Sequence, residues 1–560
     1  MLNSTDELLE ALKDIDEFRK ISGLTLNIGK SIGFGIGASK DIRGNPGNIQ
    51  WKNMNENTKI LGIYFNSSKE ASDIEENWIP KIEKIKELAI KLQRRKVTLW
   101  GKVLLCKTFL LSQVAYNIQA LSMPTKFIVE LESICFKFIW KKQNNKKRVI
   151  EKIRRQVMCL EKNKGGASMI KIGSQQQLFL IKWLLKVGEK KFNSAFTSTK
   201  IPDIYFSFYG GLEYFLSFSC NVSQIPLPEM LTRFWRDSIK SWLSLKHNID
   251  KYIESQIDPI ECKKLLGEIP LEKTPIFLNK NITYEGEPLF HKRWILRDLK
   301  YIQQVLTTNG EIIDFNGLPE NIKSLPESIL ILNAIRVGFN KLKREHDNHI
   351  QILTRNHVIR ENLMKLQNEK LRGLIDFDTA TIIYGRNFWA RKLESDIFSR
   401  YVSSLKVIKE TKIKVTLFKL FHNIQPTNIL LKKWNLSDTD RCACGEIDYI
   451  EHAMASCEKI QPLWVEIKQL IFLSTNTLIN LSTEIKLFGI GVQDKNALQI
   501  NSEKVTIINN IIALAKFCIN KARAQKTDIK LTFMNEWSFR KDIILNNSTN
   551  HSVHVDNVND

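Results

Sequence analysis

The sharpest chemistry in the sequence is a cluster of four side chains, Cys442, Cys444, His452 and Cys457, that fall within sixteen positions. Three thiolates and one imidazole are the ligand set of a closed zinc site, in which four tetrahedral protein ligands leave no position open to a substrate. The expected cofactor is therefore structural zinc, with ~10–16 kcal/mol of apparent binding free energy coupled to local folding. Cys442 and Cys444 are separated by one residue, where the common knuckles have two to four, so the first chelate loop is short. The bland reading of the same residues is a small core holding three buried thiols and a polar histidine.

A second constellation is basic. Arg94, Arg95 and Lys96 precede Thr98-Leu99-Trp100-Gly101-Lys102, and Lys107 follows. Lysines and arginines along one strip contact phosphates, which gives affinity without sequence choice and makes binding fall steeply with salt. The alternative is a solvated helix face. The densest run is 137–155, where Lys137, Lys141, Lys142, Lys146, Lys147, Arg148, Lys152, Arg154 and Arg155 meet the single acid Glu151.

Nucleotide-transfer chemistry needs carboxylates that clamp two metal ions ~3.5–4 Å apart. The sequence contains no Asp-Asp dipeptide. Asp14 and Asp16 are two apart in a helical pattern, which sends them to different faces. Gly33, Gly35 and Gly37 open no helix and precede no Lys-Ser/Thr pair, so they do not read as a phosphate loop.

These groups must be positioned by a large chain. Its 560 residues suffice for two to four structural units, and 29 Phe and 12 Trp supply extensive buried surface. Lys plus Arg number 83 against 60 acids, leaving +23, which points to a polyanion as partner. Nine scattered cysteines with no signal-peptide pattern argue against a disulfide framework. No uninterrupted apolar run reaches the ~18 residues of a membrane span.

Apolar spacing predicts a helix over 6–21 and strands over 32–36 and 59–65. Three helices follow over about 78–92, 99–120 and 127–140, the pattern of a bundle. Further helices are expected over 175–189, 230–245, 290–306, 327–343 and 415–434. The predicted fold class is mainly α with a small α+β N-terminal remnant, a helical bundle, a helical middle region and a small knuckle subdomain.

In their order along the chain, Ser22-Gly23-Leu24, Leu26-Asn27, Lys30, Leu61-Gly62-Ile63, Trp100-Gly101-Lys102 and Gly165-Gly166 resemble a non-LTR (LINE-like) retrotransposon reverse transcriptase. Trp294, Asn309-Gly310, His422 with Pro426-Thr427, Trp434, and the Cys/His cluster followed by Trp464 extend the resemblance over roughly 6–470. The family is one of RNA-directed DNA polymerases. The resemblance implies that Leu61, Gly62 and Ile63 belong to a primer-grip hairpin, that Lys102 is the thumb's Gly-Lys lysine, and that Arg94, Arg95 and Lys107 face the template–primer backbone.

In that family an Asp-Asp palm motif precedes the helix matching 6–21. The resemblance therefore implies a chain inactive alone, a transposable-element fragment, with magnesium entering only where an upstream palm completes the active site. The implied division is an end of palm over 1–70, a thumb-like bundle over 71–160, a helical connecting region over 161–410, a zinc-binding region over 411–470, a helical region over 471–545 and a disordered tail over 546–560. RNA and DNA, as template–primer, are the expected partners, with no membrane, in the nucleus or cytoplasm. Two other readings remain: part of an active polymerase completed by upstream sequence, and a domesticated structural or interaction protein using 175–410 as its interface.

Overall fold

The computed structural model describes residues 4–35, 44–140, 150–187, 206–216, 232–254, 274–348, 366–377, 383–393 and 396–546. It is mainly α, 65% helix and 5% strand. Two compact units divide the chain: Met1–Lys86, Ser112–Glu132 and Lys171–Thr379 form the first, and Glu87–Leu111, Ser133–Ile170 and Ala380–Asp560 the second. Residues 71–160, expected as one bundle, contribute to both.

In the first unit the expected N-terminal helix runs Thr5–Ser22. Ser4 caps it by accepting from the Glu7 N–H, Asp6 and Glu7 face the positive end of its dipole, and Gly23 closes it in the left-handed conformation. Asp16 pairs with Arg19 on its exposed surface, so the Asp14/Asp16 pair is ordinary surface charge. Strands Ile32–Phe34 and Gln50–Lys52 pair in parallel; residues 36–43, with Gly37, lie outside the described residues.

The single strand expected over 59–65 is instead a hairpin, Thr58–Ile60 with Ile63–Phe65. Leu61 at φ 48° and Gly62 at φ 85° turn the chain. Positive φ at both central positions matches the twist of the flanking strands, which favours a two-residue turn.

The helix Ile172–Val187 packs on Arg233–Glu254 and Asn368–Ile375, around a core that includes Trp242, Trp294, Phe215 and Phe277. The expected helix over 290–306 breaks. Lys292–Leu296 is helical, and a tight turn follows at Ile302–Val305. The Gln304 carboxamide oxygen accepts from the Lys300 and Tyr301 N–H groups at 2.7 and 2.8 Å, substituting for helical carbonyls.

The second unit is built round the helix Ser502–Gln525, which packs on Ile529–Asn546, Gln461–Thr475, Thr411–Phe421 and Ile397–Val407. It is the one helix among the described residues long and apolar enough to cross a membrane, and 67% of its apolar window is buried inside the fold. The 415–434 helix is two, Thr411–Phe421 and Asn428–Lys433, parted by a turn containing Asn423 at φ 50° and Pro426. Between 99 and 120 the helix also changes pitch, through a π turn at Cys106–Leu110.

His422 closes this core. Its Nε2 donates to the Gly165 carbonyl at 2.8 Å, and its ring lies 4.5 Å from Phe418 and 5.1 Å from Phe421. Gly165 takes φ 84°, and a Cβ on Gly166 would sit 1.9 Å from the Leu160 carbonyl oxygen, so only glycine fits there. Burial pushes His422 down to about 4, against the opposing pull of the Gly165 hydrogen bond. The folded state holds the ring neutral, whereas unfolded histidine takes a proton near ~6.5. This contribution is therefore complete above ~6.5 and is lost as pH falls toward 4, on the order of 3 kcal/mol in all. Urea unfolding of wild type should weaken over that window, and His422→Gln should flatten the dependence; parallel curves would refute the assignment.

Candidate metal centre and basic surface

The segment 441–447 is a tight hairpin. Arg441 and Ile447 bridge as antiparallel partners, the Cys442 N–H donates to the Glu446 carbonyl at 2.7 Å, and the Gly445 N–H returns to the Cys442 carbonyl at 2.9 Å. Gly445 sits at φ 97°. This turn brings Cys442 and Cys444 to one side across a single intervening residue. The other two ligands flank a π turn, His452–Ser456, closed by the Cys457 N–H on the His452 carbonyl at 2.9 Å.

All four expected ligands meet, with their donor atoms within 4.8 Å of one another. Cys457 Sγ lies 3.7 Å from both Cys442 Sγ and Cys444 Sγ, and Cys444 Sγ lies 3.2 Å from His452 Nε2. Zinc at ~2.3 Å from sulfur and ~2.0 Å from nitrogen requires tetrahedral edges of about 3.8 Å between sulfurs and about 3.5 Å from sulfur to nitrogen. The donor set could hold a metal ion and is compatible with zinc. Burial raises the Cys442 thiol, but the Cys444 backbone N–H, then His452 and the other two thiols, outweigh it and bring it to about 7. Cys457 is pushed up to about 12, chiefly by burial.

Two helices, Gln461–Thr475 and Thr483–Phe488, hold the segment that carries His452 and Cys457 in place. Gln461 Nε2 donates to the Ala455 and Cys457 carbonyls at 2.9 and 3.2 Å, Trp464 Nε1 to Met454 at 3.1 Å, and Lys486 Nζ to Ala455 at 3.3 Å. Asp448, fully buried, accepts from the Asn428 N–H at 2.6 Å and from Arg523 at 2.5 Å. No spacing signal points to this pairing, because Arg523 lies far along the chain on the core helix.

The residues expected to touch nucleic acid occupy different settings. In the first unit Leu61 is 86% exposed at the hairpin turn, Gly62 makes the turn, and Ile63 is buried. Tyr116 Oη donates to the Leu61 carbonyl at 2.7 Å and holds the tip. In the second unit Arg94, Arg95 and Lys96 are exposed, on the turn after the helix Ile79–Gln93 rather than within a helix. Thr98 then caps Leu99–Leu105.

Lys102 is half-buried, and its Nζ donates to the Phe138 carbonyl at 3.2 Å, in the last turn of Thr125–Trp140. Burial holds its pKa below the ordinary lysine value. In this position it serves a helix terminus. Lys107 is half-buried on the π turn. Of the dense basic run, Lys141, Lys142, Lys146, Lys147 and Arg148 lie outside the described residues. Lys152 covers the Trp434 ring at 3.5 Å and Arg155 pairs with Glu151 at 2.6 Å; the first contact had no signal in the sequence.

Trp100, Gly165-Gly166 and His422, which carry part of the resemblance, belong to one packed region of the second unit. Trp100 lies 5.7 Å from Phe418, and Phe418 in turn lies tilted against His422 at 4.5 Å. No protein-family model matches the sequence. Asp448→Ala would leave Arg523 without its buried partner and should cost about 3 kcal/mol in urea unfolding; a loss under ~0.5 kcal/mol would show the bridge to be incidental.

Proposed function

We propose that this chain is a non-LTR retrotransposon reverse-transcriptase-like protein, which holds RNA or template–primer on its basic surfaces and keeps a knuckle folded with structural zinc. The observation that supports the reading is the convergence of Cys442, Cys444, His452 and Cys457, whose donor atoms lie within 4.8 Å of one another. Four protein donors close the coordination sphere, so the metal would supply folding energy to the knuckle, and the site offers no position for a substrate. Cys442, Cys444 and Cys457 would bind as thiolates, and His452 through Nε2.

The charge of +23 supports a polyanionic partner, and the exposed Arg94, Arg95 and Lys96 supply backbone contacts independent of base sequence. Polymerisation is not assigned to this chain, which has no Asp-Asp pair to clamp two metal ions. In this reading Trp100, Gly165-Gly166 and His422 serve the packing of the second unit.

The test is RNA binding by fluorescence anisotropy across a salt series. Replacing Arg94, Arg95 and Lys96 together by Gln should weaken binding alike for unrelated sequences and lower the salt slope by about 2 on single strands. An unchanged slope would remove the basic turn from the interface. Primer extension by the same preparation should be undetectable, and robust incorporation would contradict the proposal.

A further inference from the structure

The short helix Tyr384–Ala390, in the second unit, carries side chains that neither the core nor the Cys/His cluster uses. Its inward side is fixed. Buried Trp389 donates from Nε1 to the Phe421 carbonyl at 2.9 Å, and a Cβ on Gly385 would meet that same oxygen at 2.3 Å. Tyr384, Asn387, Phe388 and Arg391 follow at spacings of three and four, and so share one outer face. The Tyr384 ring stacks on Phe388, with centroids 5.9 Å apart and planes 28° from parallel. Lys392 extends the line, its Nζ 5.2 Å from both the Phe388 and Tyr449 rings, and Tyr449 ends it 6.0 Å from the His452 ring.

The two ends of this line differ. At the Tyr449 end the groups satisfy one another, because Glu451 pairs with Lys392 at 2.5 Å and holds the segment 449–452 against the helix. At the Tyr384 end they do not. Tyr384 is 62% exposed and, among the described residues, its ring touches only the Phe388 ring, which leaves the other side of the stack open to water. Asn387 and Arg391 are exposed beside it, and neither side chain has a hydrogen-bond or ion-pair partner among the described residues. A rigidly mounted aromatic face flanked by an amide and a cation matches the three parts of one nucleotide: a flat base, its polar edge and its phosphate. A duplex cannot offer the first part, because its base faces are already covered by their neighbours.

We infer that Tyr384, Asn387, Phe388 and Arg391 form a site for single-stranded nucleic acid, in which an unpaired base stacks on Tyr384 and Arg391 holds an adjoining phosphodiester. The inference rests on the nucleic-acid-binding reading and adds to it a preference for unpaired over duplex segments. The basic turn at Arg94–Lys96 supplies charge alone and carries no such preference.

The test measures binding of the full chain to a short oligouridylate, which is single-stranded, and to an RNA duplex of the same length. Tyr384→Ala should weaken oligouridylate binding on the order of tenfold, leave its salt slope unchanged because no phosphate contact is lost, and leave duplex binding as in wild type. Tyr384→Trp keeps a stacking face and should bind oligouridylate at least as tightly as wild type. Arg391→Gln should lower the single-strand salt slope by about 0.7. Wild-type affinity for oligouridylate in Tyr384→Ala, with the Arg94–Lys96 variant impaired, overturns this site alone and leaves the face to a protein partner. Equal losses on single strand and duplex, or no recovery in Tyr384→Trp, overturn it as well. Failure of wild type to bind either RNA at low salt overturns both this site and the reading on which it rests.

Discussion

A carboxylate with no exposure to solvent, Asp448, ties the Cys/His segment 441–457 to the rest of the second unit. It sits between the metal-ligand pairs in sequence and reaches both the Arg523 guanidinium and the Asn428 N–H. A buried charge of this kind is costly unless it is paired and hydrogen-bonded, so the hairpin that carries Cys442 and Cys444 must dock where Arg523 can meet it. The π turn bearing His452 and Cys457 is fixed independently, by Gln461, Trp464 and Lys486 on carbonyls of 454–457. The ligand cluster is thus the meeting point of two separately anchored segments.

The same logic governs the helix that accepts this docking. Ser502–Gln525 is apolar enough to be mistaken for a membrane span, yet it buries polar groups that need partners inside the protein. Lys516 donates to the Leu487 carbonyl at 2.5 Å, and burial lowers it to about 7. Asn509 exchanges hydrogen bonds with both backbone groups of Ile490. Arg400 grips Asp494 and the Gly489 carbonyl nearby. These directional contacts fix one packing arrangement where apolar burial alone would tolerate several.

Much of this was legible in the sequence because it depends on local pattern. Apolar periodicity located the helices 5–22, 79–93, 125–140 and 172–187 to within a few residues, and three cysteines and a histidine within sixteen positions located the candidate metal cluster. Failures arose where side chains or turns override periodicity. Gln304 replaces helical carbonyls at 300–301, Leu61-Gly62 folds a short apolar run back on itself, and Pro426 with Asn423 splits a helix. Pairings between remote residues, Asp448 with Arg523, Lys152 with Trp434 and His422 with Gly165, left no trace in spacing. Lys102 shows the limit of reading charge from sequence alone: a lysine in a basic strip is here turned inward to a helix terminus.

Zinc binding by the four donors is tested most directly by X-ray absorption at the zinc edge on the purified native chain. The account predicts one equivalent of zinc with three sulfurs at ~2.3 Å and one nitrogen at ~2.0 Å, converting to a two-sulfur sphere in Cys457→Ser. Substoichiometric zinc, or a coordination sphere of oxygens unaffected by that substitution, would contradict it.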